Sequence, residues 1–344
     1  MARISLPIRL ILLGTAPILI IAVTIGLGYI DISPPDIYHV LLARFGWDLP
    51  DSVDPSFSFV IWEVRLPRIL CVAMVGGGLA VSGCVFQSLL RNPLADPYTL
   101  GISSGAAFGA SLGFVLVLFG WLHPDPWFVP GFAFIGALAT LAAVFYLTAP
   151  SQQLSSNSLI LAGIIVSAIL SAAISFIKFL ADEQVSAIIF WLMGSFIGKT
   201  WRETSVLAGI SLPCMAVLMC YTRELDIMSF GERTSDALGI ETVKIRKLLL
   251  IIASLTTSAC VAVSGIIGFV GLIVPHFMRL VLGPHNRLLV PYSFLGGCAL
   301  LLVADTITRV YLPVELPIGI LTALLGGPIF CVIFRKYQLA RWRS

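Results

Sequence analysis

One stretch of the chain carries the residue types of a nucleotide-binding loop. Residues 194–200, Gly-Ser-Phe-Ile-Gly-Lys-Thr, place two glycines, a lysine and a threonine close together. In nucleotide-binding loops, backbone N–H groups and a lysine of this kind hold phosphate groups. That motif needs four residues between its glycines and a strand before it, whereas this stretch has three and follows an apolar, helix-like run. We therefore expect no ATP here, and if ATP drives this protein, another chain hydrolyses it.

The residues that most often bind metals or form disulfides are scattered. Four histidines show no ligand spacing, and no two of the seven cysteines form a C-x-x-C pair. The cysteines are Cys71, Cys84, Cys214, Cys220, Cys260, Cys298 and Cys331. Because nearly all lie in apolar runs, they are typical of small buried hydrophobic residues. We predict no bound metal and no cofactor, and the lack of paired acids or a His/Asp cluster disfavours a membrane enzyme.

Composition indicates the kind of solvent that surrounds these residues. Of the 344 residues, 58% are hydrophobic and only 11% are charged, whereas a soluble domain carries roughly 25% charged residues. So few charges cannot cover a globular surface in water. The sequence predicts an all-α, polytopic membrane protein with a single transmembrane domain.

Apolar runs of about 20 residues each predict ten transmembrane helices. They lie near 8–30, 66–89, 99–120, 127–148, 159–180, 204–221, 247–264, 266–282, 289–307 and 316–334. Residues 185–198 are apolar but too short to cross, which predicts a re-entrant or interfacial helix. The first run lacks a convincing cleavage site, so we expect a retained span instead of a cleaved signal peptide.

The distribution of positive charge predicts the orientation. With ten spans and the N-terminus inside, 14 of the 21 lysines and arginines fall on the inner side. Cytoplasmic loops are enriched in these two residues. We therefore expect both termini in the cytoplasm and residues 222–246 to form the longest inner loop.

That inner loop contains a helix-start pattern. Ser229-Phe230-Gly231-Glu232 matches the S-x-x-E capping box, in which both side chains satisfy free backbone N–H groups. Gly239 is placed to end the helix two turns later. The pattern predicts a short helix with Ala237 and Leu238 exposed, which suits the groove of another protein. A loop helix packed on the membrane remains an alternative.

Several further motifs occur in a fixed order. They are Arg65-Leu66-Pro67-Arg68, Gly83-Cys84-Val85-Phe86-Gln87, Asn92-Pro93-Leu94-Ala95-Asp96-Pro97, Leu100-Gly101-Ile102-Ser103-Ser104-Gly105-Ala106, the run 264–276 from Ser264-Gly265 to Pro275-His276, and Leu316-Pro317-Ile318-Gly319-Ile320-Leu321-Thr322. From about residue 60 onward, the chain closely resembles the FecCD family of ABC importer permeases. These are the type II importers of iron–siderophores, haem and cobalamin.

The resemblance implies a set of partners. A second permease copy, identical or paralogous, would complete a central path through the bacterial inner membrane. Two cytoplasmic ATPase subunits would use ATP and Mg²⁺, and a periplasmic or lipid-anchored binding protein would deliver the cargo. Membrane lipid surrounds such a protein, and no nucleic acid partner is expected.

The resemblance also implies roles for particular residues. The segment with Ser229, Glu232, Ala237, Leu238 and Gly239 resembles the family's coupling helix, which sits in a cleft of the ATPase. Arginines at positions 65, 68 and 309 would meet acidic residues of the binding protein. The alternative for these arginines is snorkelling at the interface, with an i,i+4 pair between Asp305 and Arg309.

Two sets of small polar residues are candidates for the path. By resemblance, Ser156 and Asn157 occupy the cytoplasmic gate, where two subunits close the path. Ser167, Ser171 and Ser175 recur every four residues and so share one helix face. These serines either line the path or allow close helix packing.

The cargo is left open by the sequence. We expect an iron chelate, a ferric siderophore or haem, with cobalamin as the alternative. An ion-coupled carrier usually keeps ionisable groups at mid-membrane, and the predicted spans hold almost none. An ATP-driven permease needs no such relay, because its partners supply the energy.

Overall fold

A computed structural model describes residues 5–149, 155–312 and 314–342. All the secondary-structure elements in these residues are helices, joined by turns and loops, which confirms the predicted all-α class. The helices are α1 (Leu6–Gly26), α2 (Pro34–Ala43), α3 (Ser56–Phe59), α4 (Leu66–Leu89), α5 (Ile102–Leu118), α6 (Phe128–Thr148), α7 (Ser156–Ala181), α8 (Val185–Leu192), α9 (Trp201–Cys220), α10 (Thr222–Met228), α11 (Glu232–Ala237), α12 (Thr242–Ser264), α13 (Val270–Leu282), α14 (Asn286–Thr306) and α15 (Ile318–Trp342).

Each predicted span coincides with one of these helices. Eight helical segments in the described residues are long and apolar enough to cross a membrane. The other two predicted spans coincide with α5 and α13, which have 17 and 13 residues. The bounds differ most at the end of α15, which reaches Trp342, then at α12, which begins at Thr242, and at α1, which ends at Gly26. The predicted inner loop 222–246 therefore already contains α10, α11 and the first turn of α12.

Helix α13 begins four residues later than predicted because the chain unwinds between α12 and α13. Gly265 and Phe269 have φ values of +71° and +68°, and neither value fits an α-helix. The Ser195 N–H donates to the Ser264 carbonyl at 2.8 Å, and the Tyr98 hydroxyl donates to the Ile267 carbonyl. Such partners are needed wherever irregular backbone lies among membrane helices.

The short apolar segment after α7 is a helix that does not cross. Helix α8 has eight residues, about 12 Å of rise, and it ends before the predicted 198. Gly194 and Gly198 follow it with φ values of +73° and +67°, conformations that glycine adopts without a steric penalty. The Gly194 carbonyl accepts a 3.0 Å bond from the Ile318 N–H, so the end of α8 meets the start of α15.

The stretch resembling a nucleotide loop is the entry to α9. Thr200 is the N-cap residue of α9 and forms a capping box with Glu203. The Glu203 Oε2 accepts a bond from the Thr200 N–H at 3.1 Å. The capping-box pattern T-x-x-E at Thr200 and Glu203 therefore marks the true start of α9.

Two helices form the centre of the bundle. The most apolar windows of the α4 segment and of α12 are 89% and 72% buried, against 17% for α1 and 22% for α7. Helix α4 approaches α14 at Gly76 and Gly297, where an added Cβ on either glycine would meet the backbone of the other. Small residues permit this spacing between membrane helices. The peripheral helices α1, α7 and α15 therefore keep large surfaces for lipid or for other chains.

Candidate functional site

Residues 222–239 form two short helices separated by a sharp turn. Ser229 is the C-cap residue of α10, and its hydroxyl donates to the Asp226 carbonyl at 2.6 Å. Gly231, with a φ of +106°, is the N-cap of α11, whose N-terminus has no side-chain cap bond. The predicted capping box between Ser229 and Glu232 is therefore wrong. The glycine turn makes Ser229 the end of one helix and Glu232 the first residue of the next.

The end of α11 agrees with the sequence. Gly239 has a φ of +82°, and its N–H donates to the Asp236 carbonyl at 3.0 Å. The Ile240 N–H donates to the Ser235 carbonyl at 3.1 Å. Together these two bonds form a Schellman motif, in which a glycine closes the helix.

Apolar side chains on this segment face solvent. Phe230 is 73% exposed and Leu238 is 63% exposed, and Ala237 is exposed as well. Burying the Leu238 and Phe230 side chains in a partner would gain about 1.5–3 kcal/mol each. The predicted exposure of Ala237 and Leu238 is confirmed.

Helix α10 is attached to the bundle by one carboxylate. The Asp226 Oδ1 accepts bonds from the backbone N–H and the side-chain amide of Asn286, at 2.7 and 2.9 Å. Asn286 is the first residue of α14, where a negative charge complements the helix dipole. The Ser88 hydroxyl, at the end of α4, donates to the Asn286 Oδ1 at 2.9 Å. Thus α10 is fixed to both α14 and α4.

Helix α11 is attached to α12 by two carboxylates, those of Glu232 and Asp236. Glu232 forms an ion pair with Arg246, whose side chain is 3% exposed. The Thr242 hydroxyl donates to the Asp236 Oδ1 at 2.6 Å. Ser235 is buried and donates to the Gly231 carbonyl at 2.8 Å. A force applied to α11 therefore reaches the central helix α12 through polar contacts at both ends of α11.

The predicted gate lies beside this segment. Ser155 caps α7 by accepting a 3.1 Å bond from the Ser158 N–H, and Ser156 and Asn157 form the first turn. An open cleft of about 820 Å³ is lined by Leu90, Arg91, Ser155, Ser156, Asn157, Phe230, Gly231, Glu232 and Thr234. The cleft thus brings the gate candidates Ser156 and Asn157 together with one coupling candidate, Glu232, whereas the other four coupling candidates do not line it. No motif or spacing in the sequence indicates that Arg91 or Thr234 contributes to the cleft.

The three predicted path serines share the outer face of α7. Ser171 and Ser175 are exposed in the single chain, and Ser167 is partly buried against Gly101. The Ser175 hydroxyl donates to the Ser171 carbonyl at 3.0 Å, so it is satisfied within the helix. Exposure of Ser171 and Ser175 disfavours their use for packing inside this chain.

The first of the predicted docking arginines is buried. Arg65 is 4% exposed, and its guanidinium donates to the carbonyls of Ile25, Gly26 and Ile30. Its Nη1 lies 2.5 Å from the Ile25 oxygen. These carbonyls belong to the end of α1 and the residues after it, where a cation is favourable.

Arg68 and Arg309 join a buried ionic cluster. The Arg68 guanidinium binds Asp305 at 2.8 Å and Glu315 at 2.5 Å. Arg309 is 8% exposed, with its Nε 4.0 Å from the Asp305 carboxylate. This is the i,i+4 pair expected under the alternative, whereas Arg65 binds the carbonyls at the end of α1 and takes no part in the cluster. Docking through these arginines stays a prediction, and it would require them to exchange their internal partners.

The metal-binding residue types do not converge. Among the described residues, no three His, Cys, Asp or Glu side chains come close enough to hold a metal ion. Five of the cysteines are buried, whereas Cys220 and Cys331 are exposed. The interpretation of the cysteines as buried apolar residues holds for those five.

Comparison with known proteins identifies relatives along most of the chain. The sequence model of the FecCD transport family matches residues 16–336. The chain is 37% identical to the molybdate import permease MolB of Haemophilus influenzae, over 95% of this chain and 96% of that protein. It is 36% identical to the cobalamin import permease BtuC of Halobacterium salinarum, over 88% of this chain and 80% of that protein. Other homologues are permeases for Fe(3+)-citrate and hemin.

A solved structure shares the fold. It is an inward-facing conformation of a metal-chelate type ABC transporter, superposed with a TM-score of 0.83 at 33% identity. The match covers 96% of this chain and 99% of the other.

Proposed function

The chain belongs to the FecCD family of ABC transporter permeases, and on that premise we propose that it forms half of an alternating-access path for a metal chelate. Permeases of this family are not themselves enzymes. Two ATPase subunits bind on the cytoplasmic side and supply the energy, and a binding protein delivers cargo from the other side. Both termini lie in the cytoplasm, in keeping with the distribution of lysine and arginine.

The observation that carries this proposal is the braced, exposed helix α11. The helix and its flanking residues expose Phe230, Ala237 and Leu238 to a partner, while Glu232 and Asp236 hold α11 to α12. The same segment lines the cleft that contains Ser156 and Asn157. Movement of an ATPase against α11 would therefore change the gate directly.

Docking of α11 in an ATPase cleft is tested by placing a charge on the exposed surface. In Leu238→Asp or Ala237→Asp, an unpaired carboxylate would be buried in the cleft, which costs several kcal/mol. We expect the ATPase to be lost on purification, or to hydrolyse ATP without transport. Leu238→Met keeps an apolar side chain and should behave as the wild type. Phe45→Asp changes a residue that is 79% exposed in the segment after α2 and should retain the ATPase. Normal co-purification and transport by Leu238→Asp would refute the assignment.

A second permease copy is proposed to cover the outer face of α7. Only 22% of its most apolar window is buried within the chain, and Ser171 and Ser175 are exposed on it. Facing a second copy across a path, these hydroxyls would meet a polar cargo. Single cysteine variants at Ser167, Ser171 and Ser175, in a background without the native cysteines, should react with an impermeant thiol reagent in a nucleotide-dependent way. If the three cysteines do not react with the reagent in any nucleotide state, this face of α7 lies against lipid or protein and does not line the path.

Docking of a binding protein at Arg65, Arg68 and Arg309 remains part of the proposal. Its acidic residues would compete with Asp305 and Glu315 for Arg68, so association should weaken as salt increases. Reversal of Arg65 and Arg68 to Glu should lower the affinity while the ATPase remains bound. Because both arginines also hold the fold, only variants with a normal melting profile are informative. Unchanged affinity in such a variant would contradict docking here.

An iron chelate is the cargo we favour. Two homologues carry names that specify iron-bearing cargo, Fe(3+)-citrate and hemin, while others specify cobalamin and molybdate. The direct test uses the gene of the binding protein that delivers cargo to this permease. Its product should bind a ferric siderophore or haem more tightly than cobalamin or molybdate, and the reverse preference would reassign the cargo.

A further inference from the structure

A crevice with two chemically different ends lies where α5 ends and α6 and α9 begin. Its wider part, of about 560 Å³, is lined by Lys199, Trp191, Asp125 and apolar residues that include Phe114 and Val129. A second cavity of about 160 Å³ shares Pro130, Ala262 and Val263 with the first. This second part runs between α6 and α9 and presents almost only apolar surface. The crevice thus joins a cationic end to an apolar groove.

The ammonium group of Lys199 has no anionic partner in the part of the chain that the structure describes. It takes part in none of the ion pairs or side-chain hydrogen bonds found there. Burial lowers its pKa, against weaker opposing effects of Cys71 and Glu203. A desolvated charge is costly without a partner. An anion bound at this end of the crevice would remove that cost.

The two nearby carboxylates are already engaged. Glu203 accepts a bond from the Thr200 N–H at 3.1 Å within the capping box of α9. The Asp125 Oδ1 accepts a bond from the Trp127 N–H at 2.7 Å just before α6. Both acids stabilise the starts of helices. Lys199 is therefore the cation available to a ligand in this crevice.

Aromatic residues mark the depth of the crevice in the membrane. Trp121, just after α5, is 74% exposed, and the Arg202 guanidinium lies 4.8 Å from the ring centre of Trp127. Tryptophan and cationic side chains of this kind are concentrated at headgroup level. This distribution predicts that Lys199 lies at the depth of lipid phosphates and that the groove between α6 and α9 extends toward the hydrocarbon.

We propose that this crevice binds an anionic phospholipid, with its phosphate on Lys199 and one acyl chain in the groove between α6 and α9. A free phosphate ion would use the cationic end and leave the apolar groove empty. A zwitterionic lipid would fill the groove but bring no net negative charge to Lys199. The site is separate from the cleft that contains Ser156 and α11, so it does not depend on the proposed transport function.

The test uses the delipidated, purified full chain, titrated with phosphatidylglycerol, phosphatidylcholine or inorganic phosphate. Bound lipid is counted by native mass spectrometry, and binding is followed by the shift in melting temperature. One interfacial cation contributes about 1 kcal/mol to the binding of anionic lipid, so Lys199→Gln should bind phosphatidylglycerol about fivefold more weakly. Binding of phosphatidylcholine should not change. Lys178→Gln, which removes a lysine from the last turn of α7, should bind as the wild type does.

A second variant addresses the acyl chain. Gly131 lines the groove, and a Cβ there would meet nothing within 4 Å, so Gly131→Leu should fill the groove without disturbing the helices. We expect it to weaken binding of both lipids. Equal affinity of the wild type for the two lipids, or unchanged phosphatidylglycerol binding in Lys199→Gln, would overturn the proposal. Inorganic phosphate that displaces phosphatidylglycerol completely at equal concentration would show a site for a free anion instead.

Discussion

The close approach of α4 and α14 makes a quantitative prediction about one methyl group. A Cβ added to Gly76 would lie 2.8 Å from the Gly297 carbonyl carbon and closer still to its oxygen. Ordinary contacts of a Cβ begin at 3.4 Å, so the two backbones must part by at least about 0.6 Å. Helix α4 belongs to the buried centre and the most apolar window of the α14 segment is 50% buried, so overpacking here should cost about 1–3 kcal/mol. Gly76→Ala should therefore lower the melting temperature by several degrees.

The assay is thermal unfolding of the purified chain in one detergent, with Gly209→Ala as the matched control. Gly209 lies inside α9, where a Cβ would meet nothing within 4 Å. There alanine should be neutral or stabilise by about 0.5–1 kcal/mol. Gly297→Ala should destabilise like Gly76→Ala, since its Cβ would lie 2.7 Å from the Gly76 carbonyl carbon.

The double variant sharpens the test. One separation of the helices relieves both contacts, so the combined destabilisation should be smaller than the sum of the two single effects. If Gly76→Ala melts at the same temperature as Gly209→Ala, the backbones of α4 and α14 do not approach as closely as described at Gly76 and Gly297.

Three further predictions concern the fold and the inner side of the protein. Burial raises the pKa of Asp96 to about 6, so the folded state binds this proton more tightly than the unfolded state does. The free energy of unfolding should therefore fall as pH rises from about 4 to 6. Asp96→Asn should remove this pH dependence, and an unchanged pH dependence in that variant would contradict the assignment to Asp96. Arg246→Met breaks the ion pair that holds α11 and should reduce coupled ATPase activity severalfold, whereas Lys244→Met, at a lysine that is 81% exposed, should not. The thiols of Ser156→Cys in two copies should crosslink and block transport, and uncrosslinked thiols in every nucleotide state would remove Ser156 from the gate.

Much of the fold was predictable because hydrophobic length and capping are local properties. Runs of about 20 apolar residues located all the long helices, and Gly239 ended α11 as expected. The start of α13 was not predictable from apolar length, because residues 265–269 are as apolar as a helix but unwind between two positive φ angles. Ser229 ends α10 instead of capping α11, because the S-x-x-E pattern does not reveal that Gly231 separates two helices.

The exposed residues of the candidate site were predictable from the sequence, but its long-range hydrogen bonds and ion pairs were not. Exposure of Ala237 and Leu238 followed from their place between Glu232 and Gly239. The bonds of Asp226 to Asn286, 60 residues away, depend on the packing of α10 against α14. The burial of Arg65 and Arg68 likewise depends on α1 and α14, so charge counts along the sequence could not reveal their internal partners.

The most direct test of the central claim is cargo uptake by the assembled complex in proteoliposomes. The permease, its two ATPase subunits and its binding protein are reconstituted, and labelled cargo is followed with and without ATP inside. We predict uptake that requires ATP and the binding protein, that is insensitive to ionophores, and that Leu238→Asp abolishes. Uptake without ATP that collapses with a proton or sodium gradient would contradict the assignment of this chain as an ATP-driven importer permease.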